Sequence, residues 1–355
     1  MSYLLVAGGL VILLLGGDIL VRGAVTLAQR LSVPPLVIGL TVVAFGTSSP
    51  ELVVSVEAVL GGLPEIAIGN VVGSNTANVL LVLGVPAMIY PITCAVDSVR
   101  RDGSIMLAVS IAFVAACFTG MLTMWMGAIM VALLCVYLIW SYALARGEGD
   151  ETADSIVDEI EGIATRPHSL PVSLAFITGG LAGLVFGSNM LVNGAVDIAR
   201  AAGVSEATIG LTLIALGTSM PELATSLVAA LRRHGDVAVG NVIGSNLFNL
   251  LGIIGIAAMV SPIPVPEQFL RFDLWVMLGA SLLLVPFIYR GNTIGRTFGA
   301  ILTLTYCVYV WSLFSGMAVT GTTPAASAAH VPMATTVSLD TDSTQLAPYS
   351  FVATK

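Results

Sequence analysis

Residues 39–52 (Gly39-Leu-Thr-Val-Val-Ala-Phe-Gly-Thr-Ser-Ser-Pro-Glu-Leu52) recur as residues 210–223 (Gly210-Leu-Thr-Leu-Ile-Ala-Leu-Gly-Thr-Ser-Met-Pro-Glu-Leu223), with ten of fourteen positions identical. The displacement is 171 residues. Each copy sets one carboxylate, Glu51 or Glu222, in an otherwise apolar stretch beside a glycine, a proline and hydroxyls. A charge inside an apolar span is costly, so its presence reads first as function.

The same displacement holds elsewhere without a gap. Gly69-Asn-Val-Val-Gly-Ser-Asn-Thr-Ala-Asn-Val-Leu80 matches Gly240-Asn-Val-Ile-Gly-Ser-Asn-Leu-Phe-Asn-Leu-Leu251 at eight of twelve positions. Gly16, Leu20, Val21, Gly23 and Ala24 match Gly187, Leu191, Val192, Gly194 and Ala195. Pro91, Arg100, Asp102 and Trp140 match Pro262, Arg271, Asp273 and Trp311. The chain therefore divides into a first repeat (1–143), a connector (144–171), a second repeat (172–316) and a tail (317–355).

Composition places these repeats in a membrane. Of 355 residues, 57% are hydrophobic and 10% charged, with mean hydropathy +0.98. Soluble domains carry about 25% charged residues. A span needs about 20 apolar residues. About ten such segments are expected, over 3–29, 35–60, 66–90, 103–120, 122–145, 170–199, 206–231, 237–259, 273–289 and 294–316. The N-terminal segment lacks a basic leader and shares its pattern with residues 179–199, so it reads as a mature span rather than a signal peptide.

Five spans per repeat is odd, so the second repeat enters the bilayer in the opposite sense to the first. The fold class is thus all-α and polytopic: ten transmembrane helices as two inverted five-helix repeats. Inverted repeats place the transport site at their interface near the midplane. The basic residues set the orientation. With both termini outside, Arg30, Arg100, Arg101, Arg146, Arg166, Arg232, Arg233, Arg290 and Arg296 fall on the cytoplasmic side. Only Arg200, Arg271 and Lys355 fall outside, and Arg22 lies within the first span. The expected location is the inner (cytoplasmic) membrane.

The connector carries seven acids between Glu148 and Glu161, which account for most of the net charge of −8. It reads as a solvated cytoplasmic linker, and the tail, rich in Ala, Ser, Thr and Pro, as disordered. The rest of the chain is nearly neutral, which argues against nucleic acid as a partner. Cys94, Cys117, Cys135 and Cys307 have no metal or redox spacing and read as small apolar filler. His168, His234 and His330 lie in connectors or the tail, and no nucleophile–base pair is visible, so the chain does not read as an enzyme. No cofactor is implied.

The repeated motifs carry the chemistry. On a helix, Ala44, Thr47, Ser48 and Glu51 share one face. Pro50 removes a backbone donor, and Gly46 offers a place to bend, so a broken helix with a bare carbonyl near Gly46 is expected. Thr218, Ser219 and Glu222 repeat the face, with Ala215 at the carbonyl position. Ser74 and Asn78, and their counterparts Ser245 and Asn249, add a second oxygen-bearing face. Asn75 and Asn246 sit one position off that face and are expected to tie backbone together. Every group on these faces offers oxygen, which suits hard cations such as Ca²⁺ and Na⁺; Ca²⁺ takes six to eight oxygens in flexible geometry. Two carboxylates about 6 Å apart at an effective dielectric near 20 repel by ~3 kcal/mol. An empty site would therefore draw in a cation or a proton, and that discourages an unloaded crossing. Other acids read as structural: Asp18, matched by Asn189, as interfacial; Glu57 and Asp197 near span ends; Glu65 and Asp236 at positive helix N-termini.

With these motifs in view, the sequence resembles the calcium/cation antiporter superfamily, and its prokaryotic sodium/calcium exchangers most of all. The likeness rests on Gly46-Thr-Ser-Ser-Pro-Glu51 with Gly69-Asn-Val-Val-Gly-Ser-Asn75, repeated as Gly217-Thr-Ser-Met-Pro-Glu222 with Gly240-Asn-Val-Ile-Gly-Ser-Asn246. It covers about residues 1–316. The resemblance implies that the second, third, seventh and eighth helices form a compact core across which the long first and sixth slide. It implies metal ligands at Ala44, Thr47, Ser48, Glu51, Ser74 and Asn78, and at Ala215, Thr218, Ser219, Glu222, Ser245 and Asn249, the alanines through their carbonyls. One position departs: some sodium/calcium exchangers carry Asp where this chain has Asn249, so this site holds two formal charges rather than three.

The implied function is secondary active exchange of Ca²⁺ for Na⁺ by alternating access, with Ca²⁺, Na⁺ and the lipid bilayer as partners. An H⁺/Ca²⁺ antiporter is the nearest alternative, and a cation channel lined by the same oxygens the next. No oligomeric partner is implied.

Overall fold

A computed structural model describes residues 1–30, 44–93, 97–145, 169–231 and 235–315. Residues 146–168 of the expected acidic connector, the expected disordered tail and the start of the second expected span lie outside the described residues. The described part is helical, with four two-residue strands.

Two helices are far longer than the rest: α1 (Ser2–Arg30, 29 residues) and, from the second repeat, the 33-residue Leu170–Ala202. At 1.5 Å per residue each exceeds about 40 Å, longer than the ~30 Å hydrocarbon layer, so both must tilt or protrude. They run antiparallel in contact, and glycine spacing explains why. A Cβ on Gly9 would lie 2.7 Å from Gly187 O, and one on Gly16 would lie 3.1 Å from Gly180 O. Reciprocally, a Cβ on Gly187 would meet Gly9 O at 2.8 Å and one on Gly180 would meet Gly16 O at 2.8 Å. Lipid provides no hydrophobic drive between helices, so close backbone approach at small residues supplies the attraction. The repeat maps each of these two contacts onto the other, as an inverted arrangement requires.

The motif helices pack against this long pair. In the first repeat, α2 (Ala44–Thr47) and α3 (Ser49–Leu60) form one interrupted element. It is followed by α4 (Pro64–Ala77), a π-helical stretch (Asn78–Val82) and α5 (Gly84–Ile89). Then come α6 (Asp97–Cys117) and α7 (Met124–Ala145). The second repeat opens with α8, the long Leu170–Ala202 helix. Its motif element is α9 (Glu206–Ile209), a π-helical stretch (Gly210–Ile214) and α10 (Ala215–Thr218), then α11 (Met220–Leu231). It continues with α12 (Gly235–Leu247), a π-helical stretch (Phe248–Ile253) and α13 (Ile254–Val260). It ends with α14 (Leu274–Arg290), entered through a π turn at Phe269–Asp273, and α15 (Arg296–Phe314).

The short strands report the insertion sense. β1 (Ile92–Thr93), between the third and fourth expected spans, pairs antiparallel with β4 (Thr293–Ile294), between the ninth and tenth. β2 (Met121–Leu122) pairs with β3 (Ile263–Pro264). The loop after the third span of one half thus meets the loop after the fourth span of the other, twice. Two halves inserted in the same sense would put those loops on opposite faces.

Among the described residues, seven helices are long and apolar enough to cross a membrane, or eight with Glu206–Thr218 and Met220–Leu231 taken as one bent span. Of the expected ten, that near 35–60 begins outside the described residues. That near 103–120 is α6, whose first turns carry Asp97, Arg100, Arg101 and Asp102 and so lower its hydropathy. Burial separates core from periphery: 94% of the apolar window in Pro64–Ile89 is buried and 78% in Ala238–Val260, against 22% in Met124–Ser141. Trp125, Val136 and Ile139 on α7 are exposed, as a lipid-facing helix requires. The molecule is a multi-pass membrane protein whose most buried helices are the ones that carry the second repeated motif.

Candidate functional site

Both motif elements break at the same repeat position. Ser48 has φ −89°, ψ 8°, and Ser219 has φ −81°, ψ 8°, each leaving the helical basin between two short helices. The second element bends by 45° there. Pro50 falls in the first turn of α3, where its missing N–H removes no helical hydrogen bond. The bend expected at Gly46 therefore lies two residues later. Gly46 instead serves close approach: it lies within α2, and a Cβ there would run into Val21 of α1. Gly217 does the same against Leu10, where a Cβ would lie 2.8 Å from Cδ1. The bare carbonyl expected near Gly46 is also not bare, because Ser49 Oγ donates to Gly46 O at 2.6 Å.

The breaks aim serines across the pseudo-twofold. Ser48 Oγ donates to Glu222 Oε1 at 3.1 Å, and Ser219 Oγ donates to Glu51 Oε1 at 3.4 Å. Each carboxylate thus takes a hydrogen bond from the opposite repeat. Both are 1% exposed. Ser48 Oγ also lies 3.5 Å from Ser245 Oγ. The reciprocal pair brings Glu51, Glu222, Ser48, Ser219 and Ser245 into one buried cluster.

The segments that bear the second oxygen-bearing face supply four asparagines at 1% exposure, two per half. Asn78 Nδ2 donates to Asn246 Oδ1 at 3.0 Å, and Asn249 Nδ2 donates to Asn75 Oδ1 at 2.9 Å. Asn75 Nδ2 reaches Asn246 O at 3.3 Å, and Asn246 Nδ2 reaches Asn75 O at 3.4 Å. Asn75 and Asn246 tie backbone together, as their place off the face implied, and they also grip the two asparagines beside them. Asn78 and Phe248-Asn249 stand at the start of π-helical stretches, a backbone form frequent at functional sites.

Five oxygens of this region, Glu51 Oε2, Glu222 Oε2, Ser74 Oγ, Asn78 Oδ1 and Asn249 Oδ1, are buried without a hydrogen-bond partner among the described residues. Buried polar groups are nearly always paired. All five belong to the residue set expected from sequence. No three His, Cys, Asp or Glu side chains converge among the described residues, so a cation here would be held mainly by neutral oxygens around two carboxylates.

The remaining expected residues differ in what they offer. Thr218 is fully buried, and its hydroxyl lies within hydrogen-bond reach of Asn70 Oδ1 (3.2 Å), Ile214 O (3.1 Å) and Ala215 O (3.4 Å). The Ala215 carbonyl already accepts from Ser219 N at 3.1 Å, which occupies one of its two lone pairs. Thr47 is buried, and Ala44 opens α2. Asn70 was not singled out from sequence. Its Nδ2 reaches Ser55 Oγ at 3.0 Å and Glu51 O at 3.2 Å, which braces the carboxylate-bearing helix. The repeat held the signal: Asn70 matches Asn241, whose Nδ2 reaches Ser226 Oγ, the counterpart of Ser55, and Thr225 Oγ1. Among the acids read as structural, Asp18 pairs with Arg22 at 2.8 Å and Asp197 accepts from Ser2 at 3.2 Å, both in exposed settings.

Fold and site define a class: a secondary transporter of the membrane, with its polar centre gathered between two oppositely inserted halves. The sodium/calcium exchanger protein family matches residues 1–143 and 172–315, and this chain belongs to that family of antiporters. It is 36% identical over 310 residues to the putative antiporter CaxA of Alkalimonas amylolytica, covering 86% of this chain and 97% of that one. It is 34% identical over 344 residues to the sodium/calcium exchanger MaX1 of Methanosarcina acetivorans, covering 88% and 98%. Among solved structures it is similar to the sodium-calcium exchanger NCX_Mj soaked with Na⁺ and Ca²⁺, at TM-score 0.61 and 32% identity, covering 88% of this chain and 98% of that one.

Proposed function

We propose that this protein exchanges Ca²⁺ for Na⁺ across the cytoplasmic membrane by alternating access. Glu51 and Glu222 form the shared seat, loaded either by one Ca²⁺ or by the competing monovalent ions. The reading is carried by the reciprocal Ser48–Glu222 and Ser219–Glu51 hydrogen bonds, which hold two buried carboxylates together beside unpartnered oxygens. Thr47, Ser48, Ser74, Asn78, Thr218, Ser219, Ser245 and Asn249, with the Ala44 and Ala215 carbonyls, complete an all-oxygen set of the kind Ca²⁺ prefers. Two carboxylates neutralise one divalent or two monovalent ions, so loading by one kind excludes the other and forces exchange. Both termini lie outside and the acidic connector inside, in keeping with the arginine distribution.

One observation favours a second reading. Asn stands at both 78 and 249, so the site has only two formal charges, and H⁺ in place of Na⁺ would serve such a site. Proteoliposomes decide between them. ⁴⁵Ca uptake driven by an imposed Na⁺ gradient at equal pH is the expected result, and uptake driven only by a pH gradient establishes the proton exchanger. Glu51→Gln and Glu222→Gln should each abolish the flux. Full Na⁺-dependent uptake in either variant would overturn the shared-seat assignment.

A further inference from the structure

Asn75 and Asn246 have no place in the ligand set above, yet they occupy the centre of the asparagine quartet. An asparagine amide has an accepting end and a donating end of nearly the same shape, so its partners decide which end faces where. Here the decision starts from backbone. Asn246 O can only accept, so Asn75 must turn Nδ2 toward it, as the 3.3 Å contact shows. That leaves Asn75 Oδ1 facing Asn249, and Asn249 must answer with its own Nδ2, at 2.9 Å. Asn249 Oδ1 is then turned away from the quartet, buried and unpartnered. The opposite half repeats the sequence of constraints. Asn75 O accepts from Asn246 Nδ2, Asn246 Oδ1 accepts from Asn78 Nδ2, and Asn78 Oδ1 is left unpartnered.

We infer that Asn75 and Asn246 are positioning residues that turn the Asn78 and Asn249 amides oxygen-first toward the ion. The inference rests on the exchange reading of the site. Rotated the other way, each amide would present an –NH₂ group to a cation and repel it. Each constraint crosses from one repeat to the other, so the orientation exists only when the two halves are assembled. Both amides are neutral acceptors and need no titration to bind a cation.

A double-mutant cycle tests this on the purified full chain, by equilibrium ⁴⁵Ca²⁺ binding. Asn75→Leu removes the acceptor that orients Asn249 with little change in size. It should weaken Ca²⁺ binding about tenfold, and Asn249→Leu should weaken it similarly. The double variant should bind within about twofold of Asn249→Leu alone, because Asn75 acts through Asn249. Losses that multiply in the double variant, or wild-type binding by Asn75→Leu, would overturn the inference. Asn75→Gln keeps both the acceptor for Asn249 Nδ2 and the donor for Asn246 O and tests it without the leucine. Binding within about threefold of wild type supports the assignment, and a greater loss overturns it. If the wild-type chain itself binds no Ca²⁺, it is the exchange reading that fails.

Discussion

Ser48 of the first repeat donates its hydroxyl to Glu222 of the second at 3.1 Å, although 174 residues separate them. The bond exists because the motif helix breaks at Ser48, which frees that residue from the helical register of its neighbours. Its mirror, Ser219 to Glu51, shows that the break is repeated for the same purpose.

Removing either donor should weaken ion binding, because both serines belong to the proposed ligand set, and should cost stability as well. Hydrogen bonds to charged groups contribute about 1.5–3 kcal/mol. Ser48→Ala and Ser219→Ala should each raise the Ca²⁺ concentration for half-maximal flux by about tenfold or more. Ser49→Ala removes only the bond to Gly46 O and should change it by less than about twofold. Initial-rate ⁴⁵Ca uptake at graded Ca²⁺ measures all three.

Asn249→Asp places an acceptor-only carboxylate opposite Asn75 Oδ1, where an N–H now donates at 2.9 Å. It also raises the formal charge of the site from two to three. A site of charge three has room for one more monovalent ion, so the Na⁺ dependence of Ca²⁺ flux should steepen. The Hill slope against Na⁺ reads this directly, and an unchanged slope would mean the charge at this position does not set the coupling.

The glycine seam between α1 and α8 should be intolerant of any larger side chain. Gly187→Leu drives a side chain into Gly9 O and Leu13 N, each 2.8 Å from the position of a Cβ, and Gly16→Leu meets Leu184 N at 2.9 Å. Overpacking typically costs about 1–3 kcal/mol, so both variants should melt several degrees lower in detergent. Gly179→Leu, one residue from the seam on the same helix, has nothing within 4 Å of its Cβ position and should melt as wild type.

The strand pairs make a topological prediction. Thr293 in β4 and Met121 in β2 are both exposed, in pairs formed by different loops of the two halves. In a cysteine-free background, Thr293→Cys should react with an impermeant maleimide only from the cytoplasmic side. Met121→Cys should react only from the outside. Labelling of both from one face would contradict opposite insertion.

Much of this was legible in the chain itself. The 171-residue self-match identified Glu51 and Glu222, and helical spacing put Thr47, Ser48, Ser74 and Asn78 on the same faces as their repeat partners. The place of the bend was not legible. Gly46 looked like the weak point because glycine tolerates bending, yet it lies within α2, where it leaves room for Val21, and the break falls at Ser48. Asn70 shared the repeat's signature but had no visible chemistry until its bonds to Glu51 O and Ser55 appeared.

The sequence by itself determined that two like segments, each bearing one acid among hydroxyls and amides, lie inside a membrane in opposite senses. Side-chain type, periodicity and the parity of the spans suffice for that, because all three are local properties. Only the tertiary structure decided which oxygens remain free. Asn249 turns its carbonyl outward because Asn75, from the other half, is itself fixed by the backbone of Asn246, and no local rule contains a partner 171 residues away.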